Sequence, residues 1–218
     1  MPNKSTQDRS WLCDHSRVDV LLVNSEGELV DRPWLTIAID IASGCVMGFH
    51  LGYEAPNPPV VALALRHAIL PKQYSGEYEL QHQWQTYGLP QHFYTNYGIS
   101  VQSNRLKQIA ARLGFTNDFK PRPFESHVVE RLFGSLNTQL FSALPGYTER
   151  SSRSQNTDSG ASLTLPELEK LVVRYFVDLH NHQFGTRGGD RTRFEVWRSG
   201  LTTTPQVFSE QELDICFA

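Results

Sequence analysis

The chain has 218 residues, a formal net charge of −3, 39% hydrophobic residues and 20% charged residues. This composition is that of a globular protein, and at about 150 residues per domain it predicts one large domain. The small negative charge excludes a basic field over the whole molecule, so any contact with nucleic acid must come from a local patch. The sequence has no apolar run of about 20 residues and no apolar signal region at its polar start, so we expect a cytoplasmic protein without membrane association.

The three cysteines, Cys13, Cys45 and Cys216, are widely spaced and form no CxxC pair. An odd number with this spacing argues against a disulfide framework and against a zinc site. We therefore predict reduced thiols, with Cys13 and Cys45 packed in the core.

The first part of the chain shows the apolar alternation of strands, followed by a helical pattern. Residues 11–24 predict a first strand, and residues 34–41 and 45–53 predict an antiparallel hairpin joined by the turn sequence ASG. Residues 60–70 follow a proline pair and are apolar at helical spacing, which predicts a helix packed on the sheet. The polar, aromatic segment 74–87 predicts a further short helix.

The middle of the chain returns to a strand and then alternates between helix and strand. Residues 91–96 predict a fourth strand, and residues 104–113 predict a helix that Gly114 ends. We place a fifth strand within residues 114–119. Apolar residues that recur at intervals of three and four predict a long helix over residues 127–144.

The last part of the chain begins with a polar segment that has too few apolar residues to pack, and we predict a linker there. A long helix should follow from Leu165 to about Phe184, with Thr164 as its N-cap. A shorter helix within residues 187–200 should pack Phe194 and Trp197. The predicted organisation is a polar tail (1–10), a core (11–145), a flexible linker (146–163) and a C-terminal helical extension of the core (164–218).

Three polar residues stand out by their placement in this order of elements: Asp14 in the first strand, Asn96 at the end of the fourth, and Glu130 on a helix. At these positions the chain resembles the DDE family of transposases and retroviral-type integrases. The matching segments are WLCDHSRVDVLLV, HFYTNYG and VVERLFGSLNTQLFSALPGY. Within that family it is most similar to the TnsB-type transposases of CRISPR-associated transposons, through ALALRHAILPKQY and TRFEVWRSGL.

The resemblance implies an α/β fold, an RNase H-like core with a mixed five-stranded sheet flanked by helices, plus C-terminal helices. It implies DNA integration by strand transfer, in which a transposon 3′-hydroxyl end is joined to target DNA. The expected cofactor is Mg²⁺, with two ions held by Asp14, Glu130 and the residue at position 96, since hard cations prefer oxygen ligands. The expected partners are transposon-end DNA, target DNA, and further copies of the chain or a full-length transposase.

Position 96 departs from the family, which has Asp there. The amide oxygen of Asn96 can coordinate a divalent cation, but it is neutral and offers one oxygen instead of two. Three interpretations stay open at this point: a DDE-type enzyme that is impaired at one ligand, a catalytically inactive remnant that binds DNA or a full-length transposase, or a pseudogene product with no role. Ser100, Val101 and His127 also depart from the family pattern, which favours a decayed or repurposed copy over a single engineered change.

Asp40 is the carboxylate that could replace the missing one, since it lies in the strand beside that of Asp14. The family commonly carries an acidic residue there without a metal-binding role, and we expect no substitution by Asp40. The HNH tripeptide at residues 180–182 resembles a nuclease motif in its letters only. It lies within a predicted helix and lacks the ββα context, so we interpret it as a coincidence.

Basic residues gather around the predicted site and again near the end of the chain. The candidates for nucleic-acid binding are Arg105, Lys107, Lys120, Arg122 and Arg131. The second set is Arg187, Arg191, Arg193 and Arg198. A solvated face balanced by acidic residues and direct contact with phosphates are both compatible with these patterns.

Overall fold

The structure, a computed structural model, describes residues 9–95, 103–118, 123–148, 160–184 and 189–217, with the side chains at 118 and 123–126 left out of that description. The strands of this part of the chain are β1 (Ser10–Arg17), β2 (Trp34–Asp40), β3 (Val46–Gly52), β4 (His92–Thr95) and β5 (Thr116–Asp118). Its α-helices are α1 (Pro58–Ile69), α2 (Asn104–Leu113), α3 (Pro123–Gln139), α4 (Leu165–Arg174), α5 (Arg193–Gly200) and α6 (Glu210–Phe217).

The strands form one mixed sheet in the order β3-β2-β1-β4-β5. The pairs β3-β2 and β2-β1 are antiparallel, whereas β1-β4 and β4-β5 are parallel. The predicted fold class, a mixed five-stranded sheet flanked by helices, is therefore confirmed. No helix of the described ranges has both the length and the apolar character needed to cross a membrane.

The alternation of β1 sends its side chains to two separate cores, one on each face of the sheet. Leu12 belongs to the core that contains Val129 and Leu132 of α3. Trp11 and Cys13 point to the opposite face, where the core includes residues of α1 and α2. The face of β1 that carries Leu12 is thus the one covered by α3.

Several helices begin and end where local chemistry predicts. The Ser103 side chain accepts the N–H of Leu106 at the start of α2, and Gly114 ends this helix with φ of 78°. At the start of α4, Thr164 and Glu167 form a reciprocal capping box. Cys13 and Cys45 are buried and free, as predicted, and Cys216 is free and half-buried.

The predicted first strand, 11–24, is wrong beyond Arg17. Val20 and Leu22 are fully buried, but they pack on the core from an irregular segment that has only isolated bridges, from Val20 to Tyr147 and from Val23 to Leu29. The apolar alternation of residues 18–24 therefore reflects their burial in the core and not membership of a strand. The helix predicted within 74–87 is likewise wrong except for one 3₁₀ turn at Gly76–Tyr78.

The later helices differ in extent from their predictions. The helix predicted over 127–144 is α3, which begins at Pro123, ends at Gln139 and is followed by a 3₁₀ turn at Phe141–Ala143. Beyond α4, the chain continues as a π-helical turn over Tyr175–His180 and does not reach Phe184 as a helix. Most of the predicted linker, at 149–159, lies outside the described residues.

Candidate active site

Asp14 lies near the middle of the sheet on the face covered by α3. Its register partner on β2 is Ile37, which packs in the same core as Leu12. The carboxylate is half-buried, and its Oδ1 accepts the backbone N–H of His15 at 2.8 Å. No lysine or arginine of the described ranges pairs with it. Within the ranges that the structure describes, the carboxylate of Asp14 therefore has no cationic partner.

The neighbours of Asp14 in the strand do not neutralise that charge. Burial lowers the pKa of His15 below its usual value, with Asp14 opposing this shift, so the imidazole is mainly neutral at pH 7. On the other side, burial and then the Asp14 charge raise the pKa of the Cys13 thiol, which stays protonated. Neither neighbour therefore offers Asp14 a full positive charge at pH 7.

Glu130 lies on α3, whose buried residues Val129 and Leu132 fix the helix against the sheet. Its side chain is 60% exposed, and the imidazole Nδ1 of His127 donates to its Oε2 at 3.1 Å. Asp14 and Glu130 are therefore on the same side of the sheet, one on the central strand and the other on the helix that covers it.

Asn96 lies outside the described residues. The residue before it, Thr95, is buried and is the register partner of Cys13. Because β4 pairs in parallel with β1, its last described residue, Thr95, lies beside Cys13, the residue before Asp14. The placement of Asn96 itself stays a prediction.

The described donors suit a hard cation but do not assemble a complete site. Within the ranges that the structure describes, no three His, Cys, Asp or Glu side chains come together around one metal position. Asp14 and Glu130 nevertheless supply carboxylate oxygens, the ligand type that Mg²⁺ prefers. The predicted third ligand, at position 96, lies outside the described ranges. The fit to Mg²⁺ therefore rests on the oxygen ligands that Asp14 and Glu130 offer.

Asp40 is held in a structural role, as expected. It is the register partner of Trp11, so its side chain lies on the face opposite to Asp14. It is buried, its Oδ2 accepts the N–H of Ser43 at 2.8 Å and also the Ser43 hydroxyl, and burial raises its pKa. Asp40 organises the turn between β2 and β3 and is not available to the active site.

The predicted nucleic-acid-binding residues are not gathered on one surface. Arg105 of α2 donates to the Phe217 carbonyl at 2.7 Å, and Lys107 is exposed on the same helix, on the face of the sheet opposite to α3. Arg131 is exposed on α3 itself. Lys120 and Arg122 lie outside the described residues. A role of these residues in binding nucleic acid stays a prediction.

The HNH tripeptide joins the C-terminal helices to the sheet. His180 Nε2 donates to the Gly44 carbonyl at 2.8 Å. The Asn181 side chain accepts the Val46 N–H at 2.9 Å and donates to the Val46 carbonyl at 3.1 Å. Both residues are buried, at 6% and 2% exposure. Sequence reasoning missed this contact because it joins residues about 135 positions apart, and no local spacing reports it.

Known proteins match the chain over most of its length. The sequence model of the TnsB C-terminal domain family matches residues 12–146. The transposase for transposon Tn552 of Staphylococcus aureus is 27% identical over 213 residues, which are 97% of this chain and 42% of that protein. The transposon Tn7 transposition protein TnsB of Escherichia coli is 24% identical over 181 residues, 78% of this chain and 26% of that protein. The chain spans less than half the length of both relatives.

Solved structures share the fold at low sequence identity. A chain of the simian T-cell lymphotropic virus intasome, solved in complex with the PP2A regulatory subunit B56 gamma, gives a TM-score of 0.55 at 19% identity, covering 93% of this chain and 59% of that one. The catalytic core domain of BIV integrase gives 0.51 at 16% identity, covering 88% and 95%. These likenesses confirm the RNase H-like fold. With the family match over more than half of its length, the chain belongs to the TnsB C-terminal domain family of DDE transposases and integrases.

Proposed function

We propose that this chain is a core for DNA transposition that joins a transposon 3′-hydroxyl end to target DNA in a Mg²⁺-dependent reaction, and that Asn96 impairs it. The observation that carries the proposal is the position of Asp14 in a chain of this family. Asp14 lies on the central strand, on the side of the sheet that α3 covers with Glu130, and no lysine or arginine among the described residues pairs with it. The activities of the longer relatives support this reading without being established for this chain.

Asp14 and Glu130 would hold the metal ions, together with the residue at position 96. Two bound Mg²⁺ ions would supply activation of the attacking oxygen and stabilisation of the leaving oxygen at one phosphate. The His15 N–H fixes Oδ1 of Asp14 and thereby orients the carboxylate. Glu130 must exchange its contact with His127 for the metal, and its exposure on α3 leaves room for this change.

Asn96 is the reason to expect a weak activity. Its neutral amide does not offset the charge of a divalent ion as carboxylate does. Changes to residues that merely support metal ligands commonly cost about 10- to 100-fold in affinity or activity, so a lost ligand charge should cost at least that much.

The partners that we propose are DNA and further transposase subunits. Transposon-end DNA would supply the attacking hydroxyl, and target DNA would supply the phosphate. The chain would act as a homo-oligomer or by assembly with a full-length transposase. The names of both relatives refer to transposons, which supports DNA as a partner, while this chain covers only part of each relative.

The test is strand cutting and joining on a pre-branched DNA substrate, which removes the need for end recognition. The chain is compared with Asn96→Asp in Mg²⁺ and in Mn²⁺. We expect Asn96→Asp to be the more active form, and Asp14→Ala or Glu130→Ala to abolish that activity. A folded Asn96→Asp protein that is silent with both metals would contradict the catalytic proposal.

A second function is favoured by the same substitution and its neighbours. With Asn at 96 and His at 127, the chain could act as an inactive subunit that binds DNA or co-assembles with a full-length transposase. Metal affinity separates the two functions. Binding of Mn²⁺ that Asp14→Ala abolishes supports the enzyme, whereas DNA binding without any Mn²⁺ binding supports the inactive subunit.

A further inference from the structure

A groove of about 500 Å³ runs beside α3, on the flank that faces α5 and the turn between β2 and β3. We call it the arginine groove, because Arg131 of α3 and Arg193 of α5 both line it. Its floor includes the apolar residues Val128 and Leu132. No Asp or Glu is among the described residues that line it, although the chain as a whole has more acidic than basic residues.

Arg193 is the inner cation of the groove. It is half-buried, its Cδ and Nε atoms lie 3.6 Å from the position that a Cβ atom on Gly44 would take, and one guanidinium nitrogen donates to the His180 carbonyl at 2.9 Å. That bond uses one of the five N–H donors of an arginine. No carboxylate of the described ranges pairs with Arg193, and burial lowers its pKa, although the group stays charged at pH 7. A desolvated charge without a counterion is unfavourable, which favours an anion from outside the chain.

Arg131 is the outer cation. It is exposed on α3 and is not ion-paired within the described residues. It directly follows Glu130 in the sequence, so the groove and the candidate active site lie on adjacent flanks of one helix. A ligand that extends from the groove across α3 would therefore approach Glu130.

We propose that the arginine groove binds the phosphate backbone of the DNA strand on which the active site acts. The planar guanidinium fork matches phosphate oxygens, and two arginines that no described carboxylate opposes complement a polyanion. The apolar floor suits the sugar side of a strand. This inference rests on the proposed function, since it needs DNA as the substrate.

The first test measures binding of a fluorescein-labelled DNA duplex by anisotropy over a series of salt concentrations. Each phosphate contact that is lost should reduce the slope of log K against log salt by about 1. We expect Arg131→Gln and Arg193→Gln each to weaken binding and lower the slope in this way, and the double variant to lower it by about 2. Thermal melting of each variant checks that the fold is retained.

A second test leaves both arginines in place. A Cβ atom at Gly134, which also lines the groove, would meet no atom within 4 Å, so a side chain can be added there without a clash. Gly134→Glu introduces a negative charge beside the arginines, and Gly134→Gln is the matched neutral control. We expect the Glu variant to weaken duplex binding about 10-fold or more, and the Gln variant to bind nearly as the parent chain does.

The outcomes separate this inference from the catalytic proposal. If the parent chain binds no duplex at low salt, or if Gly134→Glu and the arginine double variant bind as the parent does, the inference is overturned. Inorganic phosphate is titrated alongside by calorimetry. Phosphate binding that Arg193→Gln abolishes, with DNA affinity unchanged in all variants, assigns the groove to a free anion and also overturns it. Groove-dependent DNA binding in a protein that joins no strands rejects only the catalytic role.

Discussion

The HNH segment (residues 180–182) and the candidate active site differ in whether their polar side chains are buried or reach solvent. His180 and Asn181 are buried, and their side chains are hydrogen-bonded to the backbone of Gly44 and Val46. Asp14 and Glu130 are accessible, and each has one short-range contact, with the His15 N–H and with His127. Polar groups that hold the fold find their partners inside the chain. Polar groups that serve a ligand keep bonding capacity toward solvent.

The largest effect should come from the active site, and it should leave the fold unchanged. In the Asn96→Asp background, we expect Asp14→Ala to reduce strand joining by about 100-fold or more, because it removes a ligand charge. Because Asp14 is half-buried and makes only the local bond to the His15 N–H among described residues, the free energy of unfolding should change by no more than about 1 kcal/mol. Strand-joining rates and urea unfolding measure the two quantities. A stability loss as large as that expected for the HNH segment would place Asp14 among the structural residues.

The HNH segment should respond in the opposite way. Asn181→Leu removes the acceptor of the buried Val46 N–H, and an unsatisfied buried group costs roughly 1 to 3 kcal/mol, to which the misfit of the new side chain adds. We expect a loss of about 3 kcal/mol in urea unfolding. Gln183→Leu, two residues away on an exposed position, is the control and should change stability by about 0.5 kcal/mol or less. Equal effects of both variants would contradict the structural role of Asn181.

The pH dependence of stability reports the burial of His180. Burial and then the charge of Arg193 lower its pKa from 6.5 to about 3. The unfolded chain therefore takes up this proton first, and the stabilisation that is complete above pH 6.5 is lost as the pH falls toward 3. Each pH unit costs about 1.4 kcal/mol for this group.

His180→Gln tests this by removing the titration while keeping an N–H donor for Gly44. The stability of the variant relative to the parent chain should rise as the pH is lowered from 6.5 to 4. The buried His67, whose pKa burial also lowers, acts with the same sign in both proteins and so does not affect the difference. Urea unfolding at a series of pH values gives the measurement. A difference that is constant with pH would mean that His180 does not titrate as a buried group.

The smallest effect is expected on the open flank of α3. Gly134 lies within the helix, and a Cβ there meets nothing within 4 Å. Gly134→Ala should therefore raise the free energy of unfolding by about 0.5 to 1 kcal/mol, because alanine loses less backbone entropy than glycine in a helix. Urea unfolding would show it, and a destabilised variant would mean that this flank is packed against other parts of the chain.

Elements with strong local signals were predictable from the sequence. The bounds of α2 follow from Ser103 at its start and Gly114 at its end. The hairpin of β2 and β3 follows from two β-rich runs around a short turn sequence. The irregular segment around Val20 and Leu22 was not predictable, because a buried loop and a buried strand show the same apolar alternation.

The candidate site was predictable only in part. Asp14 and Glu130 were found through a motif whose residues are far apart in sequence, and the register of β1 and the packing of α3 place both on one side of the sheet. The partner of Arg105 could not be predicted, since it depends on where α6 packs. The arginine groove depends in the same way on the packing of α5 beside α3.

The sequence by itself determined the family and most of the order of the elements, and it singled out the carboxylates that we propose as metal ligands. These features follow from the spacing of apolar residues, from helix-capping residues and from the identity of motif residues, all of which can be seen in short stretches of sequence. The tertiary structure decided which polar residues are buried partners and which face solvent. It made the HNH segment a link to β3, assigned Asp40 to a turn and placed Arg193 in a groove whose described lining has no carboxylate. Such outcomes depend on contacts between residues distant in the chain, and local patterns do not encode them.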